Sequence, residues 1–246
     1  NIYKKIILCG YLFGLSVTFL YAQLQSTNLR TEYKTNPFVD ASAPRLSWEL
    51  DGSGFNRFQT AYQIQVSSDL SKFERNQADL WDTDKVLSSQ TNQIVYKGKK
   101  LLSGQEVWWR VRTWDEQGKV GPWSTAAKWE MGKLNNVDWQ AQWIGYDTNP
   151  LAKQNTTYHL PPSPYLRTER KIEKAVQSAR LYIASLGLHE FYVNGQKIGD
   201  DYFASGWTDY HKRVHYNVYD ITQHISKGTN VFGSILGPGW YSGYLG

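Results

Sequence analysis

From residue 45 onward, apolar and polar positions alternate in short runs. Leu46, Trp48 and Leu50 alternate with polar neighbours in RLSWEL, and Tyr62, Ile64 and Val66 do so in AYQIQVSS. In EVWWRVRTW, Val107, Trp109 and Val111 form one face, and Trp108, Arg110, Arg112 and Trp114 the other. A period of two places successive side chains on opposite faces of an extended chain, so each run predicts a half-buried antiparallel strand. On the outer face of the last run, guanidinium groups fall beside indoles, a pairing that contributes about 0.5–1 kcal/mol per contact. Between the runs, DLSKFERN predicts a short helix capped by Asp69. Asp115-Glu116-Gln117-Gly118 predicts a hairpin turn, followed by GPWS and a last strand around KWEMG. Roughly seven short strands in about 100 residues describe a β-sandwich of the immunoglobulin or fibronectin type III kind. It is expected over residues 24–133.

A second unit is expected over residues 139–246, opening with DWQAQWIGYD. A polar loop follows that carries Pro150, Pro161, Pro162 and Pro164. Strands resume at ARLYIASLG, and FYV and QKI flank Asn194-Gly195, the pair that suits the two left-handed positions of a type I′ hairpin turn. In VHYNVYDI, Val214, Tyr216 and Val218 alternate with His215, Asn217 and Tyr219, which makes Tyr216 and Val218 the expected core residues. Thr222 is placed to cap a short turn, and NVFGSIL supplies a further strand before the Gly-rich GPGWYSGYLG. The whole chain is therefore expected to be all-β. No closing strand follows the last loop, and natural domains avoid the open edge this would leave. The second sandwich is accordingly expected to be truncated.

Residues 1–22 have a different pattern. Lys4 and Lys5 precede an apolar run from Ile6 to Leu20, and small Ala22 follows. This is the order of a secretory signal, and the run is short for a membrane span and lacks a positive stop. Cleavage after Ala22 removes Lys4 and Lys5, taking the net charge from +5 to +3, together with Cys9, the only cysteine. The mature chain is then left without disulfides, thiol chemistry or cysteine-bound metals, and with no transmembrane segment. Its charge is no nucleic-acid footprint. An exported bacterial protein is expected, in the periplasm or on the outer surface.

The chain holds 11 Trp and 17 Tyr. Trp207, Tyr210, Trp240 and Tyr241 sit in Gly-flanked loop contexts rather than at alternating positions. Such rings can stack on the apolar face of a pyranose while a neighbour such as Asn194 bonds its hydroxyls. The alternative is that they pack beneath their loops as satellite clusters. Asp200 and Asp201 offer oxygens to a Ca²⁺ ion, or are a solvated turn. His211 and His215 have a zinc spacing only on a helix, and here the context is strand and loop. No carboxylate pair stands out for glycoside cleavage. Nucleophile-elbow, phosphate-loop and dinucleotide motifs are absent.

The motifs LRTEY, APRLSWEL, LWDT, VWWRVRTWDEQGKVGPWS and WEMG resemble the N-terminal sandwich of bacterial α-L-rhamnosidases. WQAQWIG, ARLYIASLGLHEFYVNGQKIG, GWTDYHKRVHYNVYDIT and GTNVFGSILGPGWYSG resemble the jelly-roll domain that follows it. The resemblance implies a parent hydrolase that releases terminal α-L-rhamnose from glycans or glycosides with inversion, needing no cofactor. It also implies that the acid and base lie in an (α/α)₆ barrel beyond residue 246, so no catalytic residue is expected in this chain. Some members bind rhamnose on the jelly roll through Ca²⁺, which points to the region of Asp200, Asp201 and Trp207. The alternatives are a free-standing, non-catalytic carbohydrate-binding surface protein and a purely structural pair of sandwiches.

Overall fold

The computed structural model describes residues 23–145 and 162–242. The expected leader at 1–22 and most of the proline-bearing loop lie outside them. The chain divides into two compact units, Asn1–Trp139 and Gln140–Gly246. No helix among the described residues is long and apolar enough to cross a membrane.

The first unit contains β1 (Gln25–Thr31), β2 (Phe38–Val39), β3 (Arg45–Asp51), β4 (Ala61–Ser67), β5 (Trp81–Asp82), β6 (Val86–Leu87), β7 (Ile94–Val95), β8 (Glu106–Trp114) and β9 (Ala127–Met131). One sheet has the order β1-β3-β7, and the other β2-β9-β8-β4-β5 with β6 also on β4. The β4–β8 register sets Ile64 opposite Val111 and Val66 opposite Trp109. Leu46 and Trp48 of the other sheet join these residues in one buried cluster. Trp48 meets Tyr62 edge-on at 5.3 Å and donates its indole N–H to Gln59 Oε1 at 3.0 Å. The helix expected after Asp69 is a 3₁₀ turn, Leu70–Arg75, and Asp69 accepts from the Ser71 N–H at 2.7 Å.

Alternation alone understates the burial of β4, in which all seven residues are buried. Its outer face carries Gln63 and Gln65, which donate to the two oxygens of Asp82 at 2.7 and 2.8 Å. Arg112 and Arg110 in turn donate to these glutamines at 3.0 and 2.7 Å. Both guanidinium groups lie over the Trp123 ring, at 4.6 and 4.4 Å from its centroid. The stacked face expected on β8 therefore exists, with Trp123 of GPWS between the two arginines.

The second unit contains β10 (Tyr165–Ile172), β11 (Arg180–Ala184), β12 (Leu188–Val193), β13 (Gln196–Ile198), β14 (Tyr216–Asp220) and β15 (Gly228–Gly237). Its antiparallel sheets have the orders β10-β15-β12-β13 and β11-β14. Asn194 and Gly195 take φ values of 50° and 83°, as the expected hairpin turn requires. Val193, Ile198 and Ile221 are the buried centre. Leu181, Phe191 and Phe232, which pack on that centre, also line an apolar cleft of about 680 Å³ together with Leu166, Ile183 and Leu236, among others.

Two local expectations are corrected here. The β14 residue packed on the buried centre is Tyr219, not Tyr216 or Val218. Tyr219 can turn inward because its hydroxyl donates to Asp201 at 2.9 Å, which relieves the cost of covering a polar tip. Thr222 does not cap its turn. Its hydroxyl oxygen accepts from the Ala179 N–H at 2.9 Å, tying the end of β14 to the start of β11.

Candidate functional site

The loop after β13 is fixed to the sheet by its backbone, because the His189 N–H donates to Ala204 O at 2.7 Å. Farther along, Asp209 builds a turn whose carbonyl accepts from Lys212 and Arg213 at 2.8 and 2.9 Å. The chain leaves β15 through Pro238 into a single helical turn, Gly239–Ser242. The Pro238 carbonyl accepts from the N–H groups of Tyr241 and Ser242 at 3.2 and 3.3 Å.

These two segments bring the four loop aromatics together in pairs. Trp207 and Trp240 lie 5.5 Å apart, centroid to centroid, with their planes inclined by 35°. Both rings face solvent, 68% and 53% exposed. They border an open pocket of about 570 Å³ completed by Leu188, Phe203, Gly206 and Gly239. Tyr210 meets Tyr241 edge-on at 5.6 Å. The Tyr210 hydroxyl is buried, so this ring backs Tyr241 rather than offering a polar group to a ligand.

The remaining candidates are placed elsewhere. Asn194 does not line the pocket. Its amide nitrogen donates to His224 O and Asn230 Oδ1 at 2.9 and 3.0 Å, and its oxygen accepts from the Val231 N–H at 2.8 Å. Those bonds hold the hairpin to β15. Asp201 accepts from Tyr219, and burial together with that bond holds the phenol well above the ordinary tyrosine range. Among the described residues, no group of three or more His, Cys, Asp or Glu is placed to hold a metal ion. Asp200 and Asp201 belong to no such group, and neither do His211 and His215. Phe203 and Gly206 carried no signal in the hydropathy pattern, because pocket walls on loops follow neither strand nor helix periodicity; Leu188 opens β12.

His189, whose backbone N–H anchors the loop at Ala204, has a buried side chain. It is 4% exposed, with Nδ1 at 2.9 Å from Ser185 Oγ and Nε2 without a partner among the described residues. Burial pushes its pKa below the ordinary 6.5, and Asp201 opposes the shift only in part. The unfolded chain thus takes up the proton first. The neutral-imidazole contribution is complete above pH 6.5 and declines as the pH falls through the lowered value of the folded state. The melting temperature of the second unit should fall over that window, and His189→Asn should remove this component. An unchanged pH slope in His189→Asn would refute the assignment.

Comparison with known proteins places the two units. The model described as "Rha78A-like, N-terminal immunoglobulin domain" matches residues 26–135. The model described as "Alpha-L-rhamnosidase N-terminal domain" matches residues 174–246. The chain carries the amino-terminal domains of the α-L-rhamnosidases. An α-L-rhamnosidase of Alteromonas sp. (strain LOR) is 42% identical over 206 residues, covering 83% of this chain and 22% of that protein. One from Formosa agariphila is 41% identical over 212 residues, with 85% and 22% covered. The solved α-L-rhamnosidase from Dictyoglumus thermophilum superposes with a TM-score of 0.80 at 40% identity, covering 88% of this chain and 25% of that one. The enzyme from Aspergillus terreus gives 0.71 at 31%, covering 91% and 25%. The chain thus spans about a quarter or less of the length of these rhamnosidases.

Proposed function

We propose that this chain forms the non-catalytic front portion of an exported bacterial α-L-rhamnosidase. Its Trp207–Trp240 platform contacts the rhamnose-bearing glycan or glycoside. The observation that carries this assignment is the pair of solvent-facing indoles, joined from two separate segments beside one pocket. Exposed indoles on segments anchored by backbone bonds offer apolar ring faces, which suit the C–H face of a deoxyhexose. The hydrolysis itself, with inversion, belongs to carboxylates downstream of residue 246. Asp200 and Asp201 have no assigned part in it, and neither does calcium.

Titration of the 246-residue chain with methyl α-L-rhamnoside tests the platform by quenching of its indole fluorescence. Trp207→Ala and Trp240→Ala should each weaken binding by at least about tenfold, a loss of about 1.4 kcal/mol, while leaving the melting temperature unchanged. Undiminished binding in both variants would refute the platform. For the enzyme assignment, the 246-residue chain should release no rhamnose from an aryl rhamnoside, whereas the product of the gene extended downstream should release it.

A further inference from the structure

β15 lies inside the four-stranded sheet of the second unit, between β10 and β12. Pairing sets Tyr165 opposite Ile235, and Ile235 opposite Glu190. The next row on the same face runs Arg167, Gly233, Tyr192, Lys197. Residues directly opposite one another share a face. This face is therefore the one turned away from Val193 and Phe232, which pack in the core.

Gly233 sits at the centre of that row. A Cβ built there would meet only Leu166 O at 3.8 Å and Tyr192 Cβ at 3.9 Å, both ordinary contact distances. Neither crowding nor a left-handed backbone calls for glycine at this position. A glycine inside a strand weakens the strand, and it marks places where a ligand or another backbone comes close. Here it leaves a notch in the sheet surface.

The groups around the notch are chemically specific. Tyr165 and Tyr202 are 77% and 78% exposed, so both rings are open to a ligand. Glu190 is held in place from both oxygens: the Tyr192 hydroxyl donates to Oε2 at 2.8 Å and Lys197 Nζ donates to Oε1 at 3.1 Å. A carboxylate has about four acceptor positions, so each oxygen keeps room for another donor. Lys197 also stands 4.2 Å from the centroid of the Tyr202 ring. The charges cancel in pairs, Arg167 with Glu169 and Lys197 with Glu190. An anionic ligand therefore gains no net attraction here, whereas adjacent hydroxyls find a fixed acceptor, a fixed donor and flanking rings.

We propose that this sheet face, floored by Ile235 with the Gly233 notch beside it, binds a neutral pyranose bearing a vicinal diol, with the diol donating to Glu190 and the ring stacking on Tyr165. None of these residues lines the Trp207–Trp240 pocket. The site is independent of the one assigned above.

The test uses the 246-residue chain carrying Trp207→Ala, so that the indole platform is silent. Neutral methyl glycosides of rhamnose, galactose and mannose, and galacturonate as the anionic comparison, are titrated by saturation-transfer NMR. At least one neutral glycoside should bind, and more tightly than galacturonate. Gly233→Val fills the notch with a good strand former and deletes no contact, and Glu190→Gln removes the charged acceptor. Each should weaken binding by at least about tenfold, with Gly233→Val keeping the melting temperature of its parent. If Glu190→Gln fails to fold, Gly233→Val decides alone. Absence of neutral-glycoside binding at millimolar concentration, undiminished binding in Gly233→Val, or a preference for galacturonate would each overturn the proposal. A loss of rhamnoside binding through Trp207→Ala alone, with none at this face, would leave the platform standing and remove the sheet site.

Discussion

Trp129→Ala is expected to cost the first unit about 3–5 kcal/mol, the range for emptying a buried large aromatic position. A domain of this size is stable by about 5–15 kcal/mol, so the substitution removes a large share of that margin and should lower the unfolding midpoint clearly. The expectation follows from where the ring sits. Trp129 has no exposed surface and lies on β9, which joins β2 to β8. It meets Tyr96 edge-on at 6.0 Å, and Tyr96 meets Trp81 in the same manner at 5.3 Å. Its indole N–H also reaches Met131 Sδ at 3.1 Å. Removing the ring opens a cavity that reaches from β9 to the strands around Tyr96, and the surrounding sheet cannot collapse into it.

Trp109 gives the internal comparison. It is equally buried, yet its indole N–H has no partner among the described residues. Trp109→Phe therefore removes volume and an unsatisfied donor together, whereas Trp129→Phe removes volume and a bonded one. The cost should be smaller for Trp109→Phe than for Trp129→Phe, because an unpaired buried donor already carries a penalty of about 1–3 kcal/mol. Urea unfolding followed by circular dichroism orders the three variants. An unchanged midpoint in Trp129→Ala, or the reverse order of the two phenylalanine variants, would refute this account.

The contrast between the two units explains what the hydropathy pattern can show. In the first unit, one face of each strand meets an apolar partner sheet, so Leu46, Ile64, Val66 and Val111 alternate as the period-two rule demands, and all are buried. The rule failed for Gln63 and Gln65 because their cover comes from arginines on the neighbouring strand and from Asp82, and period-two counting contains no cross-strand partners. In the second unit, Tyr216 and Val218 form the more apolar stripe, but Tyr219 is the residue on the core because Asp201 is there to accept from its hydroxyl. The loop aromatics were visible through their Gly-flanked setting. That Trp207 would find Trp240 was not, since the meeting depends on two backbone anchors, His189 N–H to Ala204 O and Pro238 O to the turn beyond it. Asn194 was visible as a turn former, but not as a residue whose whole amide is bonded inside the fold.

Gly187→Ala should disable the second unit and its platform together. Gly187 has φ +92°, where a side chain is strained by about 1–3 kcal/mol before any contact is counted. A Cβ there would also stand 2.5 Å from Gly237 O and 2.7 Å from Pro238 O. Both obstacles are backbone, so neither can rotate away as a flexible side chain would. Gly237 pairs with Leu188 at the end of β15, and the Pro238 carbonyl accepts the N–H groups that hold the turn carrying Trp240 and Tyr241. Making room for one methyl group thus displaces the carbonyl that orients the platform. Gly195→Ala separates strain from clash, because Gly195 also has positive φ, +83°, but nothing within 4 Å of its Cβ position. Gly195→Ala should cost about 1–2 kcal/mol, the ordinary cost of a left-handed L-residue, and should leave rhamnoside binding intact. Gly187→Ala should cost clearly more and should abolish rhamnoside quenching even under conditions where circular dichroism shows the unit folded. Equal costs for the two alanines would mean that the carbonyls of Gly237 and Pro238 yield freely, and intact quenching in Gly187→Ala would mean that they do not hold Trp240 in place.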